Sequence, residues 1–250
     1  MNNRFTFLPP VYCLILFFLP ALMNAASLEF RSSEAQTSLL ELYTSEGCSS
    51  CPPAETWLSK LKDSPRLWKD FVPVAFHVDY WNYLGWRDPW SSAAFSDRQR
   101  GYSQFWRNDS IYTPGFVLNG KEWRNWSHAK EPDASKGNAG ILTLVSADSN
   151  HWHITYALAN HTDKQFEVYA ALLANNLASD VKAGENRGRR LVHDFVVLTL
   201  RSKPLESNAA GLNCDFAFGA DYPNFKPTSI AAWVTPLGSL EPLQAVGGSF

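Results

Sequence analysis

Residues 45–55, SEGCSSCPPAE, most restrict the fold of this chain, because they place Cys48 and Cys51 between a strand pattern and a helix pattern. The preceding run, SLLELYT, is short, apolar and β-favouring, which predicts a buried strand. After the cysteines, apolar residues recur at helical spacing and predict a helix over about 49–62. Pro52 and Pro53 fit this helix only in its first turn, where their missing N–H groups have no intrahelical partner. The cysteine pair is therefore expected at the N-terminus of a helix.

A C-x-x-C pair in this position is suited to thiol–disulfide exchange. The spacing allows a small disulfide, and the free N–H groups and dipole of the helix favour the first cysteine as a thiolate. A thiolate attacks a disulfide, and a second thiol resolves the mixed disulfide that results. We therefore predict Cys48 as the nucleophile and Cys51 as the resolving thiol. Glu46 opposes this activation, because a nearby carboxylate raises the pKa of a thiol.

Strand and helix patterns continue to alternate after the motif. They predict a second strand over 71–79 and a second helix over 91–106. A hairpin is expected over 111–123, with its turn at Asn119-Gly120. A strand–helix–strand unit implies a parallel pair of strands. The first half of the chain is therefore expected to be an α/β domain.

Residues 127–140 form a polar stretch that is typical of a linker, and the residue pattern changes beyond it. Short β-favouring runs follow, separated by Asn, Asp, Gly and Pro, and one of them alternates with Trp152, Ile154 and Tyr156 on one face. Several strands without a clear helix predict a β-sandwich. We therefore expect two domains, an α/β domain over 27–135 and an all-β, sandwich-like domain over 136–250.

The N-terminus predicts export. Arg4 precedes an apolar run from Val11 to Leu22, and small residues follow, which is the layout of a signal peptide. The run is shorter than the roughly 20 apolar residues of a spanning helix. We therefore expect residues 1–26 to be a signal peptide, no stable membrane span after its removal, and a periplasmic or extracellular protein.

The net charge and the number of cysteines limit the kinds of partner that this protein can have. The net charge is −2 and no basic block occurs, which argues against nucleic-acid binding. Disulfides persist in the oxidising compartments that exported proteins enter. After the signal peptide, Cys48, Cys51 and Cys214 remain, so at least one thiol has no partner within the molecule. Cys214 is either a buried small hydrophobe or a third thiol.

Four segments resemble a known family, namely ELYTSEGCSSCPPAE (41–55), FHVDYWNYLGWRDPW (76–90), YTPGFVLNG (112–120) and VKAGENRGRRLVHDFVV (181–197). They are similar to domain-of-unknown-function family 1223, a bacterial group of exported thioredoxin-like proteins. The resemblance implies a thioredoxin-like fold for the α/β domain. In the thioredoxin superfamily, the proline that corresponds to Pro114 is cis and faces the cysteine pair, and the backbone of its neighbour pairs with bound peptide. The resemblance therefore implies that Thr113 and Pro114 position the substrate.

Together these features predict an exported thiol–disulfide oxidoreductase that acts on protein or small-molecule thiols. The reaction implies a redox partner that recycles the pair, and no organic cofactor. His77 and Asp79 end the second strand, which emerges near the end of the first in a parallel sheet, so they are candidates to support the cysteines.

Two alternatives stay open. A copper or zinc site could be built from Cys48, Cys51 and His77. Otherwise the disulfide could be structural, and the aromatic loop 79–90 together with the β-sandwich could bind a partner. The Gly- and Arg-rich run 184–191 is interpreted as a turn with solvated charge, and His193 as a structural histidine in an apolar strand.

Overall fold

The computed structural model describes residues 27–135, 137–158, 164–208, 211–219 and 226–250, so the predicted signal peptide lies outside the described residues. The described part contains two α-helices, α1 (Pro52–Ser59) and α2 (Ala93–Phe105). Three short 3₁₀-helices accompany them, at Lys60–Asp63, Asn82–Leu84 and Arg124–His128. No helix within these ranges has the length and apolar character needed to cross a bilayer.

The described residues also form fifteen strands, which lie in three sheets. In chain order they are β1 (Leu28–Arg31), β2 (Ser38–Thr44), β3 (Phe71–His77), β4 (Gly115–Leu118), β5 (Lys121–Glu122), β6 (Ile141–Ser146), β7 (His151–Ala157), β8 (Phe166–Ala174), β9 (Leu177–Asp180), β10 (Arg190–His193), β11 (Val196–Pro204), β12 (Glu206–Asn208), β13 (Gly211–Ala217), β14 (Ser229–Pro236) and β15 (Gln244–Ser249). An eight-stranded sheet has the order β15-β14-β8-β11-β3-β2-β4-β5, and a five-stranded sheet has the order β1-β6-β7-β13-β12. Strands β9 and β10 form a separate hairpin.

The local elements predicted around the cysteines are confirmed. Strands β2 and β3 are parallel, and α1 lies between them in sequence. Cys51 is the N-cap of α1, which puts Pro52 and Pro53 at the two positions where a missing N–H removes no intrahelical bond. Asn119 and Gly120, with φ of 49° and 79°, form the two-residue turn between β4 and β5, as the Asn-Gly pattern predicts.

The predicted fold class is wrong. We expected an α/β thioredoxin-like domain followed by an all-β domain, but the structure is a β-rich fold of several sheets with only two α-helices among the described residues. The eight-stranded sheet contains strands from both halves of the chain, because β11 pairs in parallel with β3 at Val196 and Ala75. The five-stranded sheet likewise contains a strand from the first half of the chain, because β1 pairs with β6. Local patterns report the character of each strand but not its distant neighbour, so the sequence could not reveal this continuity.

Side chains alternate along β2 and β3, so the two helices cover opposite faces of the eight-stranded sheet. Helix α1 packs on the face that carries Leu40, Leu42 and Ala75. Helix α2 packs on the face that carries Tyr43 and Phe76. Each face therefore has its own apolar core beside the parallel strands.

Another core lies between the five-stranded sheet and the strands β8, β14 and β15. Trp152, Ile154 and Tyr156 of β7 are all buried in it, as their alternation predicts. Cys214 of β13 belongs to the same core and is 7% exposed. Burial raises its pKa to about 12, so Cys214 is a buried small side chain with little thiolate character.

Candidate active site

The two cysteines lie where β2 turns into α1, and both are free thiols. The backbone N–H of Cys51 donates to the carbonyl of Cys48, and the N–H of Glu55 donates to the carbonyl of Cys51. The sulfur of Cys48 lies 3.3 Å from Oγ of Ser50 and 3.7 Å from the carbonyl oxygen of Thr113. The turn therefore gathers polar groups around the first sulfur.

The two thiols differ in acidity. A hydrogen bond from the Cys51 thiol, supported by Ser50 and opposed by burial, lowers the pKa of Cys48 from 9.0 to about 6. Burial raises the pKa of Cys51 far above its ordinary value, and the neighbouring Cys48 raises it further. The first sulfur is thus a thiolate near neutral pH while the second keeps its proton, which is the division of roles that exchange requires.

The residues predicted to position the substrate lie beside the thiols. The Thr113–Pro114 peptide bond is cis, and the carbonyl of Thr113 is the one that approaches Cys48. Trp81 donates from Nε1 to Oγ1 of Thr113 at 2.8 Å, and Gln99 donates to the carbonyl of Tyr112 at 2.7 Å. This segment is therefore fixed on both sides.

The aromatic loop 79–90 packs against the motif. A Cβ added to Gly47 would meet Cβ of Trp81 at 2.7 Å, so only glycine allows this approach. Trp86 donates from Nε1 to the carboxylate of Glu46 at 2.6 Å. Tyr83, in contrast, is 78% exposed. Most of the loop is thus a wall of the site.

Behind the cysteines lies a buried cluster of three acids and two histidines, which we term the histidine network: Glu46, Glu55, His77, Asp88 and His193. Glu46 is fully buried, and its carboxylate accepts from Trp86, Ser179 and Nε2 of His193. The sequence predicts that this carboxylate opposes the Cys48 thiolate. In the structure it is bound to these groups instead, and the pKa of Cys48 is low.

The other two acids of the histidine network, Asp88 and Glu55, contact His77 and Thr44. Asp88 lies 2.7 Å from Nδ1 of His77, and Glu55 accepts from Oγ1 of Thr44 at 2.5 Å. Burial raises the pKa of Glu55, but His193, His77 and Thr44 together outweigh burial and the net shift is downward. Burial likewise lowers the pKa of His193, but Glu55 and Glu46 raise it to about 10.

Two nitrogens of the histidine network have no hydrogen-bond partner within the described part of the chain. They are Nε2 of His77 and Nδ1 of His193, both fully buried. Nδ1 of His193 lies 3.1 Å from a carboxylate oxygen of Glu55, which is ion-pair distance without hydrogen-bond alignment. The interpretation of His193 as a structural histidine therefore accounts for only one of its two nitrogens.

A hairpin from the second half of the chain covers the motif. In the loop between β9 and β10, Asn186 donates to the carbonyls of Glu46 and Cys48 at 2.8 and 2.9 Å. Glu185 accepts from the N–H of Ser49 at 2.9 Å. Asn186 is 1% exposed, so the interpretation of 184–191 as only a solvated turn misses its role. The one signal for it in the sequence is its place within a segment that carries the family resemblance.

The remaining predicted residues divide between the site and its surroundings. His77 lies in the histidine network, close to Glu55 and His193. Among the described residues, these three side chains form a group that could bind a metal ion, and neither cysteine belongs to it. Asp79 turns towards α2, where its carboxylate accepts from Ser96 at 2.5 Å. The fold thus brings together Cys48, Cys51, Thr113 and Pro114, and places His77 behind them.

Comparisons with known proteins give the family of this chain and structures of similar fold. The profile of the family described as "Protein of unknown function (DUF1223)" matches residues 39–235, well over half of the chain. A crystal structure of protein AGR_C_4864 from Agrobacterium tumefaciens superposes with a TM-score of 0.60 and 24% identity over 86% of this chain and 95% of that one. HBP35 of Porphyromonas gingivalis superposes with a TM-score of 0.57 and 16% identity over 88% of this chain and 76% of that one. At such identities the likeness concerns the fold alone. No curated protein matches the sequence.

Proposed function

The chain belongs to the DUF1223 family, whose description names no reaction, and we propose that it is a thiol–disulfide oxidoreductase that uses Cys48 and Cys51. The observation that carries this proposal is the position of the two thiols at the start of α1, where the Cys48 sulfur lies 3.3 Å from Oγ of Ser50 and 3.7 Å from the carbonyl oxygen of Thr113. The unequal acidity of the two thiols agrees with it. The pKa of Cys48 is lowered to about 6, whereas burial raises that of Cys51 far above its ordinary value. A purely structural pair has no need of this difference.

The proposed exchange proceeds in two balanced steps. The Cys48 thiolate attacks one sulfur of a substrate disulfide, which forms a mixed disulfide and releases the other substrate sulfur as a thiolate. Cys51 then loses its proton and attacks the Cys48 sulfur, closing the Cys48–Cys51 disulfide and releasing the second substrate thiol. Two electrons pass from the protein to the substrate, and the reverse sequence oxidises a substrate dithiol. A dithiol or disulfide partner returns the pair to its starting state.

The exposure of the motif supports two classes of substrate, small thiols and extended protein segments. Cys48 is 1% exposed, while its neighbours Ser49 and Ser50 lie at the surface. The loop that carries Glu185 and Asn186 is hydrogen-bonded to the backbone of the motif, and we propose that a bulky partner displaces this loop to reach the sulfur. We therefore propose small thiols and extended protein segments as substrates, with Thr113 beside the attacked sulfur. The leader pattern of residues 1–26 supports a periplasmic or extracellular setting.

The test is an equilibrium and exchange assay on the full chain. The dithiol–disulfide state is measured in a glutathione redox series, and exchange is measured with a peptide that contains one disulfide. We expect Cys51→Ser to trap a mixed disulfide, Cys48→Ser to abolish exchange, and the control Cys214→Ser to exchange like the parent protein. A reduction potential below about −300 mV together with no detectable exchange would instead identify a structural bridge.

A further inference from the structure

We propose that Glu55, His77 and His193 form a buried binding site for a divalent transition-metal ion, with Asp88 and Glu46 orienting the two imidazoles. This inference goes beyond the proposed thiol chemistry and does not depend on it. The three side chains come from α1, β3 and β10, so an ion at this point would join the helix, the parallel strands and the covering hairpin. Their possible ligand atoms all lie within 4.8 Å of one another.

The two ring nitrogens without a hydrogen-bond partner are the first support. Nε2 of His77 and Nδ1 of His193 are buried and find no hydrogen-bond partner among the residues that the structure describes, and both side chains are 1% exposed. The two rings meet at 88° with centroids 4.8 Å apart. Buried polar atoms are rarely left without a partner, so two in one place call for an explanation. A cation between them accepts both lone pairs.

The opposite side of each ring is the second support. Asp88 lies 2.7 Å from Nδ1 of His77, and Glu46 lies 2.9 Å from Nε2 of His193. A carboxylate on the far nitrogen fixes the tautomer so that the other nitrogen presents its lone pair. Metal-binding histidines almost always have such a partner, so the network holds both a set of ligands and the groups that orient them.

The charge of the network also favours a cation. Three buried carboxylates surround two imidazoles, and a buried carboxylate needs a compensating charge. A proton on Nδ1 of His193 is the competing occupant, but it leaves Nε2 of His77 without a partner. A divalent ion compensates the acids and satisfies both nitrogens.

Two nitrogens and one carboxylate oxygen suit borderline metals such as Zn²⁺. Such ligands bind at about 2.0–2.2 Å, so two of them lie at most about 4 Å apart. The side chains must therefore close slightly on the ion. Because the ligands are buried, we expect the ion to enter as the chain folds.

The experiment is a zinc-binding measurement on the full chain. The protein is refolded with a small excess of Zn²⁺, desalted, and analysed for metal by mass spectrometry, with circular dichroism to confirm folding. We expect about one zinc ion per chain in the parent protein and none in Glu55→Gln. Asp88→Asn, which removes the carboxylate that orients His77 but keeps its size, should weaken zinc binding by about 10–100-fold.

Two controls make the result specific. His153→Gln removes an exposed histidine that also pairs with a carboxylate, Asp215, and should keep its zinc. The double variant Cys48→Ser/Cys51→Ser should also keep it, and the Co²⁺-loaded protein should lack the intense near-ultraviolet band of thiolate ligation. The proposal is overturned if the parent protein retains no zinc, if Glu55→Gln retains as much as the parent, or if only the cysteine variant loses it. Glu55→Gln and Asp88→Asn preserve side-chain size, and circular dichroism shows whether each variant is folded before its zinc content is compared.

Discussion

Two buried charged networks lie on opposite faces of the same strands, and they are built differently. One, which we term the arginine network, consists of Glu41, Tyr43, Arg98 and Tyr102 beneath α2. Arg98 binds both oxygens of Glu41 at 2.8 and 3.0 Å, and the two tyrosines donate to the same carboxylate. The other is the histidine network beneath α1.

The difference lies in which buried polar atoms of each network have no hydrogen-bond partner. No buried polar side-chain atom of the arginine network lacks a partner among the described residues, whereas the histidine network has two such nitrogens. Arg98 is further enclosed by the rings of Tyr169 and Trp233, each 5.1 Å from its guanidinium carbon. A closed network has no capacity to bind anything else, so we interpret it as structural. The open network lies behind two thiols of unequal acidity, so we interpret it as part of a working site.

The largest expected effect on stability comes from opening the closed network. Arg98→Met leaves Glu41 buried without its counter-charge, and we expect the free energy of unfolding to fall by about 3–5 kcal/mol in a urea titration. The matched control is Arg100→Met in the same helix, whose exposed pair with Asp97 contributes about 0–1 kcal/mol. Equal losses in the two variants would contradict the structural interpretation of the arginine network.

A smaller effect is expected from Glu46→Gln in the histidine network. The amide keeps the size of the side chain but loses the charge that accepts from Trp86 and His193, so the free energy of unfolding should fall by about 1.5–3 kcal/mol. Asp180→Asn, which removes an exposed partner of Arg190, is the control. If both variants unfold at the same urea concentration, Glu46 does not hold the network together.

The smallest effect is expected at the loop that covers the motif. Glu185→Ala removes the acceptor of the Ser49 N–H, so the loop should open more often and a small alkylating reagent should reach Cys48 severalfold faster. Lys182→Ala, an exposed change in the same loop, should leave the rate unchanged. Mass spectrometry of the alkylated peptide measures both rates. An unchanged rate in Glu185→Ala would show that this contact does not limit access.

The parts of this fold that are set by residues close together in sequence could be predicted. The apolar run of β2 and the prolines after Cys51 predict the strand and the first turn of α1, and Asn119-Gly120 predicts the hairpin. The wider fold could not be predicted, because the pairing of Val196 with Ala75 joins segments far apart in sequence. Each half looks like a separate domain when only its own periodicity is considered.

The candidate site follows the same division. Cys48, Cys51 and the Thr113-Pro114 pair could be predicted, since the spacing and the family resemblance point to them. Glu55 and Asn186 could not, because one is an ordinary polar position of a helix and the other lies in a turn-like loop. Only the packing of β10 beside α1 brings His193 to Glu46 and Glu55 and gives these residues a role.

The central claim is that Cys48 is a thiolate at neutral pH. Its pKa is lowered in the folded protein, so ionisation stabilises the reduced folded state; this contribution is complete above the ordinary value of 9.0 and is lost as the pH falls from there through about 6. Cys214, whose pKa is raised to about 12, provides the internal comparison.

The most direct test is the pH dependence of alkylation at each cysteine, followed by mass spectrometry of the reduced full chain. Access changes the absolute rate at a given residue, but the midpoint of the profile reports its ionisation. We predict a midpoint near pH 6 for Cys48 and no modification of Cys214 below about pH 9. A midpoint for Cys48 at about pH 8.5, the value of an ordinary thiol, would contradict the account.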